Sequence, residues 1–195
     1  MKRLYLLLVL VLVGCQSTSG DSRFSPTATN VRVEKVGVLV PNDTRTEKNI
    51  VDEINTKGTQ AIALNRVLEF IKDESEIPNA LRANGVTHVL VVSGRIGQEN
   101  IRYSGSITNS NTNVNAWSTG YATASTSTYS TPVYSSNNYA TVNGKLYQSD
   151  GELIWVTDVE LEAQGTFYTG AKAMSEGVAK GLVAEMKKSG LLASK

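Results

Sequence analysis

The run Val86-Thr87-His88-Val89-Leu90-Val91-Val92 restricts the fold more than any other stretch of the chain, because Val and Leu fill five of its seven positions. A half-solvated strand would alternate apolar and polar residues. A nearly continuous β-branched run instead reads as a central strand covered on both faces, and such a strand requires helices above and below it. The preceding residues supply them. Val36, Val38 and Val40 alternate with Lys35, Gly37 and Leu39 and end at Pro41-Asn42-Asp43, which predicts a strand closed by a turn. Thr44 and Glu47 have the spacing of a capping box, and Ile50, Val51 and Ile54 share one helical face that stops at Gly58. A second strand is expected over 59–64. Residues 66–71 fit neither period, and 76–84 reads as a short helix with Pro78 in its first turn and Gly85 as its stop. The first half is therefore βαβαβ.

In the second half, 139–147 and 153–161 alternate as strands around Asp150-Gly151, a strong hairpin signal. Leu153, Trp155, Val159 and Leu161 fall on one face, which makes Trp155 a core residue. Ala171, Met174, Val178, Leu182 and Met186 then form the apolar stripe of a helix over 169–188. The expected fold class is α/β (α+β), a single domain over residues 31–195. Its mixed sheet follows the order βαβαβ, long β-hairpin, ββα, with the helices packed on the sheet.

The hairpin is an insertion over 103–141. From Tyr103 to Gly144 there is no Asp, Glu, Lys, Arg or His, and within 103–141 Ser, Thr and Asn supply 23 of 39 residues. Disordered segments usually carry charge, whereas Thr and Tyr favour strands, so a protruding β-hairpin is expected, with its tip near 125–132 and simple disorder as the competing reading. Its aromatic residues Tyr103, Trp117, Tyr121, Tyr129 and Tyr134 are the candidate binding residues. A membrane barrel built from several copies would need one apolar face. Here Ile107 shares a face with Asn109, Asn111, Asn113 and Asn115, opposite Ser106, Thr108, Ser110 and Thr112.

At the amino end, Lys2 and Arg3 precede an apolar run from Leu4 to Val13, too short to cross a bilayer as a helix, which needs about 20 residues. Residues 1–14 read as a signal peptide. Leu12-Val13-Gly14-Cys15 matches a lipobox, so the segment resembles the leader of bacterial lipoproteins. That resemblance implies cleavage before Cys15, acylation of Cys15 and a lasting lipid anchor. With Gln rather than Asp at position 16, it further implies an outer-membrane location, on the periplasmic face. Residues 15–30 are expected to be the lipidated cysteine and a flexible tether.

Without Lys2 and Arg3, Lys plus Arg falls from 19 to 17 against 18 Asp plus Glu, which leaves no overall electrostatic case for nucleic acid. Cys15 is the only cysteine and His88 the only histidine, so the chain offers no thiol pair and no soft metal set. No cofactor, metal or catalytic residue is expected, because no nucleophile has a partner base. His88 reads as a half-buried strand residue. The order of elements, together with Gly85-Val-Thr-His-Val-Leu-Val-Val92 and Gly151-Glu-Leu-Ile-Trp155, is similar to small envelope lipoproteins. Their α/β domain resembles the TolB amino-terminal domain and the curli-secretion lipoprotein. The resemblance implies a non-catalytic, periplasm-facing binding or accessory module of the cell envelope. Its expected partners are the membrane, through the anchor, and an envelope protein or further copies of the chain. The alternative is a subunit of an oligomeric outer-membrane secretion or export assembly. Cys15→Ser should yield unacylated protein, either soluble or uncleaved, as read by the intact mass and by partition into detergent.

Overall fold

The computed structural model describes residues 15–28, 31–116 and 122–192. The leader and the candidate residues Trp117 and Tyr121 lie outside them. One mixed sheet of seven strands organises the chain: β1 Gln16–Phe24, β2 Lys35–Leu39, β3 Gln60–Ala63, β4 His88–Ile96, β5 Asn100–Ala116, β6 Ala122–Gln148 and β7 Leu153–Gln164. The spatial order is β1-β7-β6-β4-β2-β3, and β5 pairs with β6 beside this path. β3, β2 and β4 run parallel, as βαβ crossovers require, and the remaining pairings are antiparallel. Four helices, α1 Thr44–Thr56, α2 Asn65–Leu68, α3 Ile77–Ala83 and α4 Ala171–Lys188, pack on the sheet. The α/β class is the one expected from the sequence, and the elements follow the expected order with two changes: β1 precedes them, and the second hairpin arm continues without a break into the strand expected over 139–147.

The Val86–Val92 run is covered as its composition demands. On one face Leu90 and Val92 join Val36, Val38, Val142, Leu146 and Trp155 beneath Ile50 and Ile54 of α1 and Met174, Val178, Leu182 and Met186 of α4. On the other, Val86 and Val89 of the run and Leu39 pack in a smaller cluster with Leu64 and with Val67, Leu68, Ile77 and Leu81 of α2 and α3. That second layer ends early. Ser93 and Arg95 of β4, Thr141 and Lys145 of β6, and Asp158 and Glu160 of β7 are exposed on the open side of the sheet. Trp155 is fully buried, and its Nε1–H donates to Ser189 Oγ at 3.1 Å, so it is a core residue as expected. Leu153 is not. A register shift between Leu146 and Tyr147 turns it out to solvent and buries Ile154 in its place.

The amino-terminal segment overturns one expectation. Residues 16–24 are not tether but an edge strand, paired with β7 from Gln16↔Ala163 to Phe24↔Trp155. Strand addition is a main-chain interaction and needs no apolar pattern. The side chains of β1 need only be small where α4 crosses them. Gly177 and Gly181 make that crossing possible: a Cβ on Gly177 would lie 2.8 Å from Gln16 Oε1, and one on Gly181 would lie 3.0 Å from Thr18 Cγ2. Gly20 reciprocates, its Cα facing the Glu185 side chain. The folded domain therefore begins at Gln16, directly after the cysteine.

Two local readings are also corrected. The N-cap of α1 is Asp43 rather than Thr44, with Oδ1 accepting from Thr46 N–H at 2.9 Å. Glu47 does not close a capping box. It is buried, and its Oε1 accepts from Asn65 N–H at 2.8 Å, which ties α1 to the start of α2. The pairing of β5 with β6 extends to Ala116↔Ala122, so residues 125–132 are paired strand rather than tip. Pairing register sets this, and Pro132 alone marks no turn. Gly181→Leu should drive β1 off α4, accelerating amide exchange over 16–24 and lowering the melting temperature. Gly170→Ala, where a Cβ meets nothing within 4 Å, should leave exchange over 16–24 unchanged and lower the melting temperature less, through the weaker N-cap alone.

Candidate functional site

Cys15 and the base of the hairpin, both singled out by sequence, meet at one end of the sheet. Gln164, the last residue of β7, donates its N–H to the Cys15 carbonyl at 2.9 Å. Gln164 lies opposite Asn137 of β6, and Asn137 lies opposite Asn100 of β5. A single row across four strands therefore runs from the exposed Cys15 to the base of the hairpin. Side chains lock that row to the loop leading into α4. The Gln16 amide nitrogen donates to the carbonyls of Tyr168 at 2.9 Å and Ala173 at 3.0 Å. Thr169 Oγ1 donates to Glu99 Oε1 at 2.5 Å, so the 2.7 Å contact with Ser136 must carry the Ser136 proton. Asn138 donates to the Thr169 carbonyl at 2.8 Å. Ser136, Asn138 and Thr169 are buried, which makes these bonds expensive to break.

Beyond this row β5 and β6 continue alone. The sixteen residues from Ile101 to Ala116, with one bulge between Tyr103 and Gly105, extend roughly 50 Å at about 3.3 Å per residue. One face is a ladder of hydroxyls: Thr108 with Ser130 at 2.9 Å, Ser110 with Thr128 at 3.1 Å, and Thr112 with Thr126 at 2.9 Å. The opposite face holds Ile107 against Thr131, Asn109 against Tyr129 and Asn111 against Ser127. Among the described residues the ribbon has no third strand, so both its edges expose main-chain donors and acceptors.

The candidate aromatic residues do not form one cluster. Tyr103 and Tyr134 face each other across the first rungs, their ring centroids 6.0 Å apart at 72°, an edge-to-face pair on the surface. Tyr129 stands five residues further out and is 65% exposed. Sequence reasoning missed Gln16, Ser136, Asn138 and Thr169, because isolated polar residues in a polar chain carry no local mark of burial. It also missed Phe167, which is 86% exposed in the loop after β7.

Elsewhere the chemistry is sparse. A cavity of about 480 Å³ lies at the carboxyl ends of β2 and β4, lined in part by Pro41, Asp43, Thr46 and Arg95. Both Asp43 carboxylate oxygens are taken by Thr46. Among the described residues no group of three His, Cys, Asp or Glu is placed to hold a metal. No described helix is long and apolar enough to cross a membrane, which says nothing of crossing by strands. His88 is half-buried beside Thr87, with Nδ1 2.9 Å from Oγ1. That hydroxyl donates to the Lys35 carbonyl, so Nδ1–H is the donor to it. Burial pushes the His88 pKa below its ordinary 6.5, and the Glu34 carboxylate partly opposes the shift.

Neither a protein-family model nor a curated protein matches the chain. Among solved structures, two forms of the PelC dodecamer from Paraburkholderia phytofirmans are similar to it at 14% identity and a TM-score of 0.41. The match covers 84% of this chain and 96% and 95% of theirs. That TM-score lies below the level of a shared fold.

The His88 shift sets a pH dependence. Above its unfolded pKa the ring is neutral in both states. Below it the unfolded chain takes up a proton that the fold resists, so stability falls as pH drops through the folded value. Melting temperature measured from pH 7.5 to 5 should fall more steeply for the native chain than for His88→Gln.

Proposed function

We propose that this chain is a non-catalytic, lipid-anchored module of the bacterial envelope whose hairpin engages another envelope component by strand addition. The observation that carries the reading is the single row joining Cys15, Gln164, Asn137 and Asn100. It puts the expected anchor and the root of a charge-free, two-edged ribbon on one end of a rigid sheet. Strand addition takes its affinity from main-chain bonds and its selectivity from alternate side chains. The ribbon offers free edges, and the Tyr129, Asn109 and Asn111 face offers neutral polar and aromatic contacts. Natural proteins blunt such edges with charge, above all Lys, and here, beyond Arg102 at the root, Pro132 and the bulge at Tyr103/Gly105 are the only edge-breaking features among the described residues of the ribbon. The periplasmic face of the outer membrane is the location implied by the lipobox, and the envelope-lipoprotein resemblance agrees with that reading.

A second reading has its own observation. A ribbon of roughly 50 Å exceeds the ~30 Å hydrocarbon core of a bilayer and starts beside the anchor. In that reading the component added to each edge is another copy, and the chain is a subunit of an oligomeric export or secretion assembly. Open edges cannot persist in hydrocarbon, so copies within a membrane would have to pair.

Replacing residues 106–132 with Asn-Gly should leave the melting temperature near that of the native chain. It should also abolish photocrosslinks formed in whole cells from a probe placed at Tyr103 or Tyr134, exposed positions at the hairpin root that the replacement retains. Light scattering of the detergent-extracted protein separates the two readings. Monomer with crosslinks to a different protein supports the first, and a large discrete oligomer that collapses on hairpin replacement supports the second. An intact crosslinking pattern after replacement would remove the hairpin from either role.

A further inference from the structure

We infer that the loop 165–170 is a second membrane contact, with Phe167 seated in the headgroup region of the bilayer beside the acylated Cys15, so that the domain is held in one orientation rather than swinging on its anchor. The inference rests on the anchoring read from the lipobox and adds to it a surface and a lipid occupant.

Three observations carry it. First, there is no slack. Cys15 is held by the Gln164 hydrogen bond and Gln16 is already in register with Ala163, so lipid attached at position 15 is attached to the sheet itself. Second, Phe167 is close by construction. It lies three residues beyond Gln164, a reach of at most about 11 Å, and the Gln16 amide binds the carbonyl of the neighbouring Tyr168. Third, Phe167 is 86% exposed although Tyr168 beside it packs on the core, so the loop spends its one free aromatic ring on solvent at the place where acyl chains would enter the bilayer. The same end carries Ile101 at 60% exposure and the exposed Tyr103–Tyr134 pair, three rungs beyond Asn137. Tyr enriches at the membrane–water boundary because its ring is apolar and its hydroxyl wet, and one aromatic level is the usual mark of that boundary. With Phe167 and the tyrosine pair at this level, the hairpin leaves the domain through its membrane-facing end.

The test uses the full-length acylated protein in phosphatidylethanolamine–phosphatidylglycerol vesicles, with a Trp117→Phe background and Phe167→Trp as the probe. Trp155 is buried, and the background variant without the probe reports its contribution. Acylation is established beforehand from the mass of the amino-terminal peptide. The expected result is a blue shift of the probe's emission on vesicle binding, with stronger quenching by bromines at shallow than at deep acyl positions and little quenching by aqueous iodide. Emission that stays red and is quenched by iodide, in protein shown to carry acyl chains, would overturn the membrane contact while leaving the anchor standing. Unmodified Cys15 in a host that acylates lipoproteins would overturn both. Because Phe167 is exposed, the substitution should not unfold the domain, and an unchanged melting temperature checks this.

Discussion

The structure depends on the continuous pairing of β6, which runs for 27 residues from Ala122 to Gln148. Its carboxyl half lies between β4 and β7 and contributes Ala140, Val142 and Leu146 to the main core. Its amino half is one arm of the hairpin. No hinge separates the two. Where the strand leaves the core, Ser136 and Asn138 are buried and bonded to Thr169, and Gly165 N–H donates to the Ser136 carbonyl. Core packing therefore aims the hairpin, because bending it at its root would expose apolar surface or orphan buried polar groups.

The same economy governs the amino end. A lipidated cysteine followed by a disordered stretch would hold a domain loosely. Here the next residue is the first rung of an edge strand, and glycines at 177 and 181 let α4 lie directly on it. Small side chains at this crossing do what apolar patterning does elsewhere in the sheet. Cys15, the hairpin root and the Phe167 loop thereby become parts of one end of the sheet, and any function that uses them uses them at fixed separations.

Much of the fold was legible from local chemistry. Val36, Val38 and the Val86–Val92 run marked their strands through β-branched density. Gly58 and Gly85, both at positive φ, marked helix ends that only glycine accommodates cheaply. Asp150-Gly151 marked the β6–β7 turn, and the stripe Met174, Val178, Leu182, Met186 marked the buried face of α4. Each of these signals is set by a residue and its near neighbours. The candidate site was legible only in part. Cys15 and the charge-free stretch stood out by composition, but the partnership between them did not, since it runs through Gln164 and Asn137, which nothing in their surroundings distinguishes.

By itself, then, the sequence determined the α/β class, the order of most elements, most of the buried faces and the neutral Ser/Thr/Asn-rich character of residues 103–141, because those follow from side-chain volume, polarity and short-range backbone preference. Tertiary structure decided that residues 16–24 are a strand, that Glu47 is a buried clasp on Asn65 rather than a cap, that residues 125–132 are paired strand, and that the hairpin leaves the domain beside Cys15. The physical reason is common to all four. Each depends on main-chain hydrogen bonds or packing between segments far apart in sequence, and main-chain groups are the same in every residue, so no local pattern of side chains records which of them will meet.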